Sequence, residues 1–243
     1  PMRTPRCDHA AVSLGSSIVV MGGYRLLSAE QYNTATGQWS SFPSMNEARI
    51  GCAAAVLSEK IIVVGGEDRN IGEALRSGEE YDPNTGVWSS IPPMHHKRAY
   101  CAAAVLDSQI YVVGGYNGNE RISSIEVYNP TTRCWSLLSN MNLKRSSCAA
   151  VSLHGKLIVV GGYDEGGRHL AVCEAYDPTT CQWSSIPTMQ TGRCGCAAVA
   201  VEVDGTLYVM GGRAISANED QHLESIKLQQ KKLQQKKLQQ KKL

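Results

Sequence analysis

The chain has 243 residues, 42% hydrophobic and 19% charged, enough to bury a sizeable core in one all-β domain or two smaller units. Its net charge of +2 is unevenly placed: seven of 24 lysines and arginines lie from Lys227 onward, where no acid occurs, leaving 17 bases against 22 acids before that point. An acidic body of −5 with a +7 tail argues against a basic nucleic-acid-binding face, no apolar run reaches the 18 residues of a membrane helix, and Pro1 to His9 hold no signal-peptide core.

The predicted elements repeat. Glycine doublets begin at Gly22, Gly65, Gly114, Gly161 and Gly211, spaced 43 to 50 residues apart, a period of solenoids, propellers and arrays. In chain order each unit starts with Met-x-x-x-Arg, at Met2, Met45, Met94, Met141 and Met189. A small-residue strand follows, as in Cys52-Ala-Ala-Ala-Val-Leu or Cys101-Ala-Ala-Ala-Val-Leu, then turn residues such as Asp107-Ser108 or His154-Gly155. Next come β-branched runs such as Lys60-Ile-Ile-Val-Val, stopped by Gly-Gly.

After a loop comes a strand carrying Tyr32, Tyr81, Tyr128 or Tyr176, with turn chemistry such as Asp82-Pro-Asn-Thr-Gly behind it, and Trp39, Trp88, Trp135 or Trp183 seven residues beyond the tyrosine. The spacings from Tyr to Trp to Met to Arg are constant, whereas the stretch from Gly-Gly to Tyr ranges from 10 to 16 residues. Each unit therefore reads as a four-stranded antiparallel meander with one variable loop. Five such units spell a β-propeller, with small side chains on the crowded innermost strand and Tyr and Trp filling the wider gaps outside.

The pattern resembles the kelch family, whose Gly-Gly, Glu-x-Tyr-Asp-Pro, Trp and Met-x-x-x-Arg landmarks are matched by Gly161-Gly162, Glu174-Ala-Tyr176-Asp-Pro, Trp183 and Met189-Gln-Thr-Gly-Arg193. The expected fold is all-β: a β-propeller of kelch repeats over residues 1–226, with four full four-stranded blades plus an incomplete fifth. In the fifth repeat Leu223-Glu-Ser-Ile aligns with the tyrosine strand, but no Asp-Pro turn or Trp follows, so this blade is expected to keep three strands. Residues 227–243 place Leu every fifth position, which makes neither a coiled-coil seam nor an amphipathic face, and read as a low-complexity tail.

The resemblance implies that loops after Gly-Gly and around Met-x-x-x-Arg open on one face of the disc and contact partners. Two readings stand for the repeated arginines. Arg6, Arg49, Arg98, Arg145 and Arg193 form either a ring of donors at the channel mouth for an acidic peptide, or internal pairs with Glu30, Glu79, Glu126, Glu174 and Glu224, which recur equally regularly. Distances under about 4 Å would favour the pairs.

Loop residues outside the repeat pattern are the specificity candidates, because scaffold symmetry does not require them. They are Arg69, Asn70 and Arg76; Tyr116, Asn117, Asn119 and Arg121; Tyr163, Asp164, Arg168 and His169; and His95, His96 and Tyr100 between blades. No catalytic residue, cofactor or metal site is expected. Cys52, Cys101, Cys148 and Cys196 come from different blades, too far apart for one zinc, and an odd cysteine count without a signal peptide suggests a reducing, cytoplasmic setting.

By resemblance, the expected role is a protein-protein interaction module of a ubiquitin-ligase-type adaptor, binding protein or acidic peptide. The alternatives are a cytoskeletal, actin-associated scaffold and, third, a kelch-type enzyme such as a sialic-acid epimerase.

Overall fold

The structure, a computed structural model, describes residues 1–68, 70–214 and 223–227, the side chains of Leu223, Glu224 and Lys227 excepted. Arg69, residues 215–222 and the tail from Leu228 onward, with the expectations attached to them, lie outside the described residues.

Among the described residues, five antiparallel sheets of three or four strands follow one another in chain order. The first blade consists of Ala10–Leu14, Ser17–Met21, Ala29–Asn33 and Gln38–Phe42. The second has Ala53–Leu57, Lys60–Val64, Gly78–Asp82 and Val87–Ile91, and the third Ala102–Leu106, Gln109–Val113, Ile125–Asn129 and Cys134–Leu137. The fourth has Ala149–Leu153, Lys156–Val160, Cys173–Asp177 and Gln182–Ile186. The fifth keeps three strands, Ala197–Val201, Thr206–Met210 and Leu223–Lys227, the last in the tyrosine-strand position with Ile226 opposite Leu207. The first strands of successive blades pack side by side from the first blade to the fifth, which makes the assembly a propeller.

Local chemistry sets each meander. The first hairpins of the second and third blades turn through Ser58-Glu59 and Asp107-Ser108, where both residues have positive φ, as a type I′ turn requires, although neither pair contains glycine. The third and fourth strands are joined by Asx turns, in which the Asn33 and Asn129 carboxamides accept two N–H groups each. Tyr and Trp sit directly opposite across these strands, with ring centroids 5.0 to 5.4 Å apart in all four full blades.

Among the described residues the core is divided into four layers, each between neighbouring blades. Ala53, Ala55, Ile62, Val64 and Met94 of the second blade, for example, meet Cys101, Ile110, Val112, Tyr128 and Trp135 of the third. Alanines keep the inner strands close, as the sequence suggests. Along the outside, the indole N–H groups of Trp88, Trp135 and Trp183 donate to the carbonyls of Pro43, Pro92 and Ser139 in the preceding blade, at 2.9, 2.7 and 2.7 Å.

The glycine doublets are the inner joints. The second glycine donates its N–H to the arginine carbonyl of the next blade, from Gly23 to Arg49, Gly66 to Arg98, Gly115 to Arg145 and Gly162 to Arg193, over 2.7 to 3.0 Å. A Cβ on Gly114 would stand 2.4 Å from the Arg145 carbonyl oxygen, and its φ of +59° also disfavours a side chain. Two residues beyond each arginine, Asp8, Gly51, Tyr100, Ser147 and Gly195 all have positive φ. They form a chain of backbone bonds around the channel mouth: each N–H from Gly51 onward donates to the preceding member's carbonyl at 2.7 to 2.8 Å.

Candidate functional site

Strands leaving through Gly-Gly and strands arriving from Met-x-x-x-Arg meet at the same end of each blade, bridged at Ile50–Glu67, Ala99–Tyr116 and Ser146–Tyr163. Both loop classes therefore share one face of the disc.

The repeated arginines do not point out of that face. Arg49, Arg98, Arg145 and Arg193 are buried, as is the Arg6 side chain. Arg6, Arg49 and Arg98 pair with Glu30, Glu79 and Glu126 at 3.1, 3.2 and 2.9 Å, and Arg145 pairs with Glu174. Arg98 shows the full arrangement: its guanidinium also donates to the Gly114 and Ser124 carbonyls, both at 2.8 Å, and to the Ser124 hydroxyl at 2.9 Å. Arg193 donates to the Gly211 carbonyl at 3.1 Å. In the first four blades carboxylates and strand-end carbonyls take the terminal guanidinium nitrogens, so the reading of an open ring is corrected there to internal pairs; Arg193 is buried on the Gly211 carbonyl, and the side chain of its expected partner Glu224 lies outside the described residues.

Each paired glutamate also holds the loop that enters its blade. Glu126 accepts the N–H groups of His95 and His96 at 2.7 and 3.0 Å, and His95 Nδ1 lies 2.8 Å from its carboxylate. Burial pushes the Glu126 pKa up, but Arg98 and these His95 and His96 contacts outweigh it and hold the carboxyl below its usual range. His95 and His96 thus belong in part to the scaffold, with exposed imidazole edges.

The variable loops of the third and fourth blades come together. The third is shaped by Asn117, whose carboxamide accepts the N–H groups of Asn119 and Glu120, and by the Tyr116 hydroxyl, which donates to the Gly118 carbonyl at 2.8 Å. Arg121 leaves this loop toward the next blade, donating to Ser146 Oγ at 3.2 Å with its guanidinium 5.7 Å from the Tyr163 ring centre. The Tyr163 ring lies against His169, with centroids 4.7 Å apart and planes tilted by 49°. Asp164 closes the fourth loop by accepting from Arg168 N–H and Nε at 2.9 and 2.7 Å. A hydrogen bond with the Cys194 thiol raises the Tyr163 hydroxyl pKa, with Arg213 nearby pulling the opposite way.

Asn70 and Arg76, in contrast, are exposed on the second-blade loop, and no contact joins them to this cluster. Tyr100 lies at the channel mouth, against Gly51. Ser146, Ser147 and Arg213 were not anticipated. Ser147 had one signal, since its counterparts two residues after the arginine are glycines at Gly51 and Gly195; Ser146 and Arg213 had none.

Charge on the face is mostly neutralised: Lys97 pairs with Glu73, Lys144 with Glu120 and Arg168 with Asp164. Arg121 has no carboxylate partner among the described residues. Burial pushes the thiols of Cys52 and Cys148 up to about 11 and those of Cys101 and Cys196 to about 12, which keeps them protonated at neutral pH. Among the described residues no group of three or more His, Cys, Asp or Glu is placed to hold a metal ion.

Comparison with known proteins agrees with this architecture. The solved structure of YjhT superposes with a TM-score of 0.75 at 15% identity, covering 87% of this chain and 74% of that one, a likeness of fold alone. An F-box/kelch-repeat protein of Arabidopsis thaliana is 41% identical over 70 residues, 27% of this chain and 16% of that protein. Kelch-like protein 25 of Rattus norvegicus is 40% identical over 60 residues, 24% of this chain and 10% of that protein. The chain thus matches only a small part of these relatives' length. A family model described as the KLHDC2/KLHL20/DRC7 Kelch-repeats domain matches residues 8–212. The chain belongs to the kelch-repeat propellers.

Proposed function

We propose that this propeller is a protein-interaction module that receives an acidic segment of its partner at Tyr116, Arg121, Tyr163 and His169. Kelch propellers commonly serve in protein interaction, and relatives of the F-box/kelch and kelch-like kinds are typically non-enzymatic. The observation that carries the site is Arg121: Lys144 and Arg168 beside it are paired with Glu120 and Asp164, whereas this guanidinium lies 5.7 Å from the Tyr163 ring centre and has no carboxylate partner among the described residues. Tyr and Arg on a rigid scaffold are also the residue types that dominate binding energy at interfaces.

The ligase-adaptor role is supported by the name of the F-box/kelch relative and is proposed on that basis. The test is quantitative affinity capture with the native chain and with Arg121→Ala and Tyr163→Ala. The expected result is loss of the same partners with both variants, unchanged melting, and weaker capture at high salt. Ligase subunits among the partners support the adaptor role, whereas actin would replace it with the scaffold reading. Partner capture unaffected by either substitution would refute the site.

A further inference from the structure

Asn117 and Gly118 are the chain's one Asn-Gly pair. The pair lies in the third-blade loop between Tyr116 and Arg121, which are bridged to each other. Asn117 is half-buried, whereas Gly118 is exposed, has a φ of +105° and would meet nothing within 4 Å if it carried a Cβ. Among the described residues no acceptor takes the Gly118 N–H.

The Asn117 carboxamide oxygen accepts the backbone N–H groups of Asn119 and Glu120, both at 2.9 Å. Negative charge that develops on this oxygen when its carbon is attacked therefore meets two donors already aimed at it, the arrangement of an oxyanion hole. The adjacent nucleophile is the Gly118 nitrogen, which is neither held by an acceptor nor screened by a side chain. Asn33 and Asn129 hold the same pair of donors but lack the nucleophile. Asn33 is followed by the β-branched Thr34, whose N–H is bonded to the Ser16 carbonyl at 3.0 Å, and Asn129 by Pro130, which has no N–H.

We propose that Asn117 is a self-modification site that loses its amide to the Gly118 nitrogen. That nitrogen gives up its proton and bonds to Asn117 Cγ; the Cγ–Nδ2 bond breaks, ammonia leaves, and a succinimide ring closes. Water then opens the ring at either carbonyl. Opening at Cγ restores the ordinary backbone with an aspartate, and opening at the main-chain carbonyl leaves an isoaspartate whose backbone is longer by a methylene. Nothing is oxidised or reduced.

Both products place a carboxylate where the loop carried a neutral amide. The aspartate keeps the turn, because Asp82 and Asp177 accept the N–H two residues on in turns elsewhere in the chain. The isoaspartate displaces Gly118, whose carbonyl receives the Tyr116 hydroxyl at 2.8 Å. Either way a negative charge joins the hairpin that presents Arg121, and the attraction of that guanidinium for an acidic segment falls as the protein ages. This consequence rests on the acidic-segment reading of the Arg121 site, whereas the chemistry at Asn117 does not.

The test is peptide mapping by mass spectrometry after the folded chain has stood for days at neutral and at mildly alkaline pH. Asn117 is expected to exchange amide for acid about tenfold faster than Asn33, and faster still at the higher pH. Binding is read with a fluorescent oligoglutamate peptide at low salt. Asn117→Asp is expected to bind it about two- to fourfold more weakly than the fresh native chain, with unchanged melting. The aged native chain should approach that value. Aged Asn117→Ser, which keeps a turn-holding oxygen but no amide, should bind as it did when fresh.

Retention of the Asn117 amide for as long as that of Asn33 would overturn the proposal, whatever the peptide does. So would an Asn117→Asp that binds the peptide as tightly as the native chain while Arg121→Ala weakens it. A peptide held equally by the native, Arg121→Ala and Asn117→Asp chains overturns the acidic-segment reading and the regulation built on it, and the mass map then decides the modification by itself.

Discussion

Replacing Arg98 by leucine separates the two roles an arginine in this position could have. The guanidinium donates to Glu126 at 3.2 and 2.9 Å, to the Gly114 and Ser124 carbonyls at 2.8 Å each, and to Ser124 Oγ at 2.9 Å. Leucine fills part of the volume but leaves a buried carboxylate held only by the His95 and His96 contacts. Removing one partner of a buried pair costs about 3–5 kcal/mol, and the Gly114 carbonyl, left unpaired, adds about 1–3 kcal/mol before relaxation, whereas the Ser124 carbonyl keeps the Gly114 N–H. Against a whole-domain stability of about 5–15 kcal/mol, the variant is expected to lose a large share of its fold. Urea unfolding measures this, with Arg133→Ala as control. Arg133 is half exposed and reaches Glu80 at 3.3 Å, so its removal costs about 0–1 kcal/mol. The reasoning is refuted if Arg98→Leu unfolds within about 1 kcal/mol of the native chain while losing its partners, since the arginine would then serve a ligand and not the fold.

Further outcomes follow from the same geometry. Because the Glu126 pKa is depressed in the folded chain, its contribution is complete above the unfolded carboxylate value of about 4.3 and is lost as pH falls through the lower folded value. Glu126→Gln should therefore flatten the acid limb of a stability-against-pH curve, and an unchanged limb contradicts the assignment. Gly114→Ala, with its Cβ 2.4 Å from a carbonyl, should cost about 2–5 kcal/mol, whereas Gly155→Ala, at φ +69° with open space around it, should cost only the backbone strain of about 1–2 kcal/mol, both read by urea titration. Trp135→Phe should lose about 1 kcal/mol more than Trp39→Phe, the difference being the indole bond to Pro92. A thiol reagent at neutral pH should titrate the exposed Cys7, Cys134 and Cys181 quickly and reach the buried Cys52, Cys101, Cys148, Cys173 and Cys194 only on unfolding.

What could be read from the sequence was whatever the repeat enforces. Gly-Gly, Tyr and Trp recur because each makes the same bond or cross-strand stack in every blade, so their spacing carried the strands and their order. The arginines and glutamates recurred just as visibly, but period alone cannot say whether a guanidinium turns into the blade or out of it. That depended on the carbonyls at the strand ends, which have no letter in the sequence. The Arg121, Ser146, Tyr163 and His169 cluster was hidden for the opposite reason: three of its members come from variable loops or their edges, in two neighbouring blades, and nothing periodic links them.

The loops after the glycine doublets begin and end at fixed points. Gly22, Gly65 and Gly114 each donate their N–H across the loop base to the carbonyls of Ser28, Ser77 and Ser124, at 3.3, 3.0 and 3.1 Å, although the loops they close differ in length. Doubling a closed loop costs only about 0.6 kcal/mol of chain entropy. Insertions and deletions between these clasps therefore cost the fold little, so the loops can differ in length and composition while the blades beneath them keep one geometry.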